Sequence, residues 1–203
     1  MNPTDVRLIL ASRSPRRREL LAEAGYRFEV VPPDETAETG VEGDRRPEEM
    51  VRELAWRKAA DVAARLRANA KESVGAAVVL GCDTVVECEG HILGKPIDRA
   101  DARRMLETLR GQRHRVLSGL CLWPIGAKNS KPLVEIAISI LQTDLLSDEQ
   151  LDEYLSGNDW QGKAGAFGYQ DRTGWVHVVE GSESNVVGLP LELLAAMLKQ
   201  FDD

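Results

Sequence analysis

Apolar residues along this chain fall into short blocks whose period switches repeatedly between strand-like and helix-like spacing. Val6 to Ala11 reads as a strand; it breaks at Ser12 and Ser14, and Pro15 then occupies the first turn of a helix that closes at Gly25. Arg27 to Val31 reads as a second strand, followed by a polar loop from Pro32 to Arg46 that carries Asp34, Glu35, Glu38, Glu42 and Asp44. Pro47 opens a long helix in which Val51, Leu54, Ala55, Ala59, Val62 and Leu66 recur at helical spacing, ending near Ala70 and placing Lys58 at the edge of the buried stripe. Ala76 to Leu80 predicts a strand covered on both faces, interrupted by Gly81-Cys82-Asp83-Thr84 and resumed at Val85-Val86. The turn Glu89-Gly90 leads back through His91-Ile92-Leu93 as a hairpin. Asp98 caps a helix from Ala100 to Leu109 that stops at Gly111. Val116 to Leu122 and Leu133 to Leu141 are strands joined by a loop from Gly126 to Pro132. Ser147 and Gln150 form a capping box before Leu151 to Leu155; a glycine-rich stretch runs from Gly157 to Gly168, a strand surrounds Trp175 to Val179, and Pro190 opens the last helix. Without internal repeats or low-complexity segments, the interleaving predicts a mixed α/β fold.

Composition narrows the function classes. With 203 residues, 43% hydrophobic and 29% charged, the chain can bury one sizeable core or two small lobes sharing a cleft. A net charge of -7 argues against a general binder of nucleic-acid polymers or membrane surfaces, so any anionic ligand requires a local basic cluster. Three cysteines without a C-x-x-C pair indicate neither a disulfide framework nor a zinc site, and a reducing cytoplasmic compartment is the expectation. No secretory leader or membrane span is expected, because no apolar run reaches the needed length.

Chemistry concentrates first at Ser12-Arg13-Ser14-Pro15-Arg16-Arg17. Helix N-terminal N–H groups, two hydroxyls and two guanidinium forks make an anion site suited to phosphate; an ordinary Ser14 cap with solvated arginines is the plainer alternative. Gly157 to Lys163 has P-loop spacing, but Ala164 replaces the required Ser/Thr, a helix precedes it, and Gly165 and Gly168 forbid the helix that should follow. His91, His114 and His177 show no metal-ligand spacing and are expected in surface or cap roles. Asp83, a carboxylate inside an apolar strand, needs a cationic or metallic answer or else satisfaction by backbone N–H groups at a bulge. Taken with Glu35, Lys58, Lys95, Arg16 and Arg17, it completes the acidic and basic set that metal-assisted phosphoryl chemistry requires.

Six ordered blocks then carry a family resemblance: Ala11-Ser12-Arg13-Ser14-Pro15-Arg16-Arg17-x-Glu19-Leu20-Leu21, Leu54-Ala55-x-x-Lys58-Ala59, Gly81-Cys82-Asp83-Thr84-Val85-Val86, Gly94-Lys95-Pro96-x-Asp98, Gly162-Lys163-Ala164-Gly165-Ala166-Phe167-Gly168-x-Gln170 and Asn185-Val186-Val187-Gly188-Leu189-Pro190. Together they resemble the Maf-like nucleoside triphosphate pyrophosphatases over nearly the whole chain, read as a single domain from residue 1 to 203. The resemblance implies an α/β fold with a mixed twisted sheet, flanking helices and two lobes around a central cleft, similar to inosine triphosphatases. It also implies a homodimer and hydrolysis of a nucleoside triphosphate to monophosphate and pyrophosphate with a divalent metal, Mg2+ or Mn2+. On matching positions it makes Asp83 the proton acceptor and a metal ligand. Ser12, Arg17, Lys58 and Lys95 would line the phosphate site, and Glu35 or the adjacent Asp34 would join the metal. Arg16, Thr84 and Gln170 fall where base preference is set and are similar to the branch that prefers dTTP and UTP; the branch acting on 7-methyl-GTP carries other residues. Cys82, Phe167, Tyr169 and Asp171 depart mildly from the family pattern. A nucleotide-binding regulatory module acting in cell division is the competing expectation.

Overall fold

The computed structural model describes residues 7–39, 45–69, 76–126, 131–171 and 174–201. Glu42, Asp44, Ala70 and most of the loop expected between Gly126 and Pro132 lie outside these residues. A seven-stranded sheet forms the centre, built from β1 (Leu8–Ala11), β2 (Phe28–Val30), β3 (Ala77–Cys88), β4 (His91–Leu93), β5 (Arg113–Ile125), β6 (Leu133–Thr143) and β7 (Val176–Glu180). The strand order is β2-β1-β3-β5-β6-β7, with β4 pairing back onto β3. β1 is parallel to both β2 and β3; the other pairs are antiparallel, so the sheet is mixed. The helices are α1 (Pro15–Glu23), α2 (Pro47–Asn69), α3 (Arg99–Leu109), α4 (Asp148–Ser156), α5 (Glu183–Val187) and α6 (Leu191–Leu198). None of the described helices is long and apolar enough to cross a membrane.

Side-chain alternation explains how this sheet makes a cleft. Successive strand residues point to opposite faces, and on one face Leu8, Leu10, Val78, Leu80 and Cys82 pack with Leu21 of α1 and Leu194, Met197 and Leu198 of α6. The same face further along β3 carries Val86 and Cys88, which join a separate core with Met105, Leu106 and Leu109 of α3 and Leu151, Tyr154 and Leu155 of α4. The long strands β3 and β5 thus carry two apolar cores end to end, and the polar pair Thr84 and Ser118 sits between them. On the opposite face Ile9, Ala11, Ala77 and Val79 meet Ala55, Ala59, Val62 and Ala63 of α2. Gly81 and Gly119 let α2 lie directly on the strands, because a Cβ at Gly81 would strike the Ala55 carbonyl and one at Gly119 the Val51 carbonyl.

The local predictions hold in detail where caps and turns carry them. Ser14 caps α1, Asp98 caps α3, and Ser147 with Gln150 makes both bonds of the capping box on α4. Glu89 and Gly90 both have positive φ, as the tight hairpin turn requires. Two expectations need correction. The strand expected to break at Gly81–Thr84 runs unbroken through all twelve residues of β3, with Asp83 opposite Gly119 of β5; a neighbouring strand supplies the ladder that glycine and aspartate locally disfavour. Histidine 114 is not at the surface: β5 begins earlier than its apolar run suggested, and His114, two residues before Val116, is buried on the inward face.

Candidate active site

The cleft of about 320 Å³ opens between the two cores. One end is charged and hydroxylic, lined by Ser12, Arg13, Ser14, Arg16, Arg17, Glu38, Lys58, Asp83 and Lys95; the other is largely apolar, with Val86, Leu109, Val116, Leu141, Phe167 and Val186 around His114. This polarity suits an elongated ligand with an anionic head and a flat, mostly apolar tail.

The charged end is built by the turn from β1 into α1. Ser12 Oγ accepts from the Ser14 backbone N–H at 3.1 Å, and Ser14 Oγ from the Arg17 N–H at 3.5 Å, which starts a helix whose first turn lines the cleft. Opposite this turn, Asp83 projects from β3 on the face covered by α2 and meets Lys58. Lys58 Nζ donates to Asp83 Oδ1 at 2.6 Å, with 7% and 15% of the two side chains exposed. Alternation along β3 and helical spacing along α2 bring the two groups together, since Gly81 under Ala55 and Ala59 fixes the approach of the helix. No bulge surrounds Asp83, so the carboxylate is answered by a side-chain cation within regular strand pairing.

Glu35 lies elsewhere. It begins a 3₁₀ turn, Glu35–Glu38, capped by Asp34, whose side chain accepts from the Thr36 N–H at 3.0 Å. Glu35 is exposed and is not among the residues lining the cleft, whereas Glu38 at the end of the turn is. Glu38 Oε1 lies 3.7 Å from Lys58 Nζ and 3.8 Å from Arg13 Nη1. Sequence reasoning missed Glu38 because an acidic loop without periodicity does not say which carboxylate points inward. Arg13 was likewise passed over beside Arg16 and Arg17.

Arg17 is buried, and most of its donors already have protein acceptors. Nε donates to the Gly188 carbonyl at 2.8 Å, Nη1 to the Cys82 carbonyl at 2.8 Å and Ser12 Oγ at 3.3 Å, and Nη2 to Thr84 Oγ1 at 3.1 Å. The Thr84 hydroxyl also meets Ser118 Oγ at 2.8 Å. Gly188 ends α5 with φ of 123°, a conformation that favours glycine, and presents its carbonyl to Arg17, Thr84 and Cys82 Sγ. Buried Asn185 holds that turn down, its Nδ2 donating to the Val116 carbonyl and to Ser139 Oγ.

At the rim, Arg16 Nη2 donates to the Gly162 carbonyl at 3.1 Å, bridging α1 to the glycine-rich segment. That segment makes turns and a short 3₁₀ piece at Ala164–Ala166 rather than a phosphate-binding loop and helix. Gln170 is exposed at the cleft edge, beside Tyr169, whose hydroxyl donates to Glu183 at 2.9 Å. Lys95 is exposed at the cleft beside the same glycine-rich segment, where the Gly165 N–H donates to the Gly94 carbonyl. At the apolar end, burial pushes the His114 pKa down to about 4, the Gln112 backbone and Glu87 charge acting the other way. The imidazole is therefore neutral near pH 7. The structure thus gathers Ser12, Arg16, Arg17, Lys58, Asp83, Thr84, Lys95 and Gln170 around one cleft and leaves Glu35 outside it.

The family model for Maf-like protein matches residues 7–201. The chain belongs to the Maf-like family. Among relatives of this Maf-like chain, a Rhodopirellula baltica protein named dTTP/UTP pyrophosphatase is 47% identical over 99% of the chain and 85% of the relative. A Symbiobacterium thermophilum protein of the same name is 42% identical over 96% of the chain and 93% of the relative. The fold is similar to the structure of the Staphylococcus aureus Ham1 protein, with a TM-score of 0.51 at 14% identity, covering 96% of this chain and 98% of that one. This likeness carries the architecture alone.

Proposed function

We propose that this Maf-like chain is a nucleoside triphosphate pyrophosphatase, acting on dTTP and UTP and releasing nucleoside monophosphate and pyrophosphate. The observation that carries the reading is the Lys58–Asp83 pair at 2.6 Å on the wall of a cleft that is cationic at one end and apolar at the other. Relatives named dTTP/UTP pyrophosphatase support the choice of substrate.

Asp83 accepts a proton from a water that attacks the α-phosphorus. The new P–O bond forms as the bond from that phosphorus to the α,β-bridging oxygen breaks, and pyrophosphate leaves. Lys58 holds the carboxylate in place through its 2.6 Å bond. Arg13, Arg16 and Lys95, with the first turn of α1, take the phosphate charge that the acidic chain as a whole would repel. The donor set fits a divalent cation held in part by substrate: Asp83 and Glu38 both offer hard oxygens near Lys58, and no cluster of three or more His, Cys, Asp or Glu side chains occurs among the described residues. Mg2+ commonly binds through one or two carboxylates plus substrate phosphates, and such an ion would neutralise phosphate charge and polarise the reacting centre. The base enters the apolar end, and Gln170 at the rim offers an amide that can match one acceptor and the adjacent donor of a uracil or thymine edge. A homodimer in a reducing cytoplasm completes the reading; the buried free thiols Cys82, Cys88 and Cys121 are compatible with that compartment.

Pyrophosphate release over a panel of standard nucleotides and 7-methyl-GTP, with Mg2+, Mn2+ and chelator, tests the proposal. Turnover should be highest for dTTP and UTP and vanish with chelator. Nucleotide binding without turnover would overturn it in favour of a regulatory binding module.

A further inference from the structure

We propose that Arg17 is a positioning residue that holds Asp83 from behind, rather than a phosphate ligand. The inference rests on the reading of Asp83 as proton acceptor. An arginine has five N–H donors, and four donor contacts of Arg17 are directed at Gly188, Cys82, Ser12 and Thr84, between 2.8 and 3.3 Å. Cys82 and Thr84 are the two residues flanking Asp83, and alternation turns their side chains to the face opposite the one on which Asp83 meets Lys58.

The guanidinium therefore lies across the back of β3. Its Nη1 fixes the carbonyl just before Asp83, and its Nη2 fixes the hydroxyl just after it. The same fork reaches the end of β1 through Ser12 and the α5 turn through Gly188, so these two segments and α1 itself are locked to the strand that carries the carboxylate. A planar, rigid fork suits this task, whereas the ammonium of lysine, a compact point charge, cannot serve acceptors spread around a plane. Burial of Arg17 agrees, since its protein acceptors leave at most one of its five N–H donors for a ligand in the cleft.

Arg17→Lys tests the assignment because it keeps the charge and removes the fork. Melting temperature, affinity for the non-hydrolysable α,β-methylene-dUTP, and kcat and KM for UTP are measured on the same protein. The expected result is a folded variant whose analogue affinity and KM stay within about twofold of wild type while kcat falls roughly tenfold to a hundredfold, the cost of a misaligned reacting group. Analogue affinity weakened tenfold or more, or a folded variant with wild-type kcat, overturns the proposal. If Arg17→Lys does not fold, Thr84→Val and Thr84→Ser decide. Valine removes the acceptor of Nη2 and should lower kcat, and serine, which keeps the hydroxyl, should restore it; equal kcat in the two variants overturns the proposal. Failure of the underlying activity is separable, because it appears as absent pyrophosphate release in the wild-type protein.

Discussion

Gly81→Ala should damage catalysis from beneath the helix, without touching any group in the cleft. A Cβ at Gly81 would lie 2.9 Å from the Ala59 nitrogen and 3.0 Å from Ala59 Cβ, and closer still to the Ala55 carbonyl oxygen. Those atoms are backbone or rooted in it, so no side-chain rotation relieves the clash. A carbon normally approaches a carbonyl oxygen no nearer than about 3.3 Å, so α2 must retreat from β3 by roughly 1 Å. Lys58 rides on that helix next to Ala59, and its 2.6 Å bond to Asp83 would stretch beyond hydrogen-bonding range if the side chain moved with the backbone. Overpacking of this kind costs about 1–3 kcal/mol, which for a chain of this length lowers the melting temperature by roughly 2–12 °C. A displacement near 1 Å at a reacting group costs on the order of a hundredfold in rate. Thermal denaturation and pyrophosphate release, measured well below the new melting temperature, separate the two effects. Gly157→Ala is the control, since its Cβ would meet the Tyr154 carbonyl at an ordinary 3.6 Å and its φ of -86° suits alanine. A Gly81→Ala protein with wild-type turnover and stability would refute the idea that close helix–strand contact sets the Lys58–Asp83 geometry.

Three further outcomes follow. Asp83→Asn keeps the shape and loses the charge, so turnover should fall about a hundredfold or more while triphosphate affinity persists or rises; a folded variant with full turnover would remove Asp83 from the chemistry. Gln170→Glu removes the amide donor and should lower kcat/KM for dTTP and UTP relative to GTP, and an unchanged ratio would show that Gln170 does not read the base. His114, with its folded pKa near 4 against about 6.5 unfolded, binds its proton less readily when folded. Stability should therefore decline as pH falls from about 6.5 towards 4, by up to ~3 kcal/mol, and melting curves of His114→Phe should lose that part of the pH dependence; an equal slope in wild type and variant would contradict the burial effect.

Local chemistry determined a good deal of this protein by itself. Caps at Ser14, Asp98 and Ser147, the Glu89-Gly90 turn and the α2 stripe are short-range patterns, and each element they predict is present. The apolar run of β1, followed by Ser12, Ser14 and Pro15, marked the helix start that lines the cleft, because a helix N-terminus is defined by adjacent residues. What required the tertiary structure involved partners distant along the chain. β3 continues through Gly81 and Asp83 because β5 completes its ladder, a non-local contribution that outweighs local strand preference. Glu38 rather than Glu35 faces Lys58 because the inward side of an irregular loop is set by what it packs against, and no period records it. His114 and the Arg17 fork needed the same information: one is buried where β5 meets Leu141 and Thr143 of β6, the other by acceptors at Ser12, Cys82, Thr84 and Gly188 that span most of the chain. Sequence periodicity specifies which face of an element is apolar, but the identity of the group across a cleft is a property of the packed sheet and helices alone.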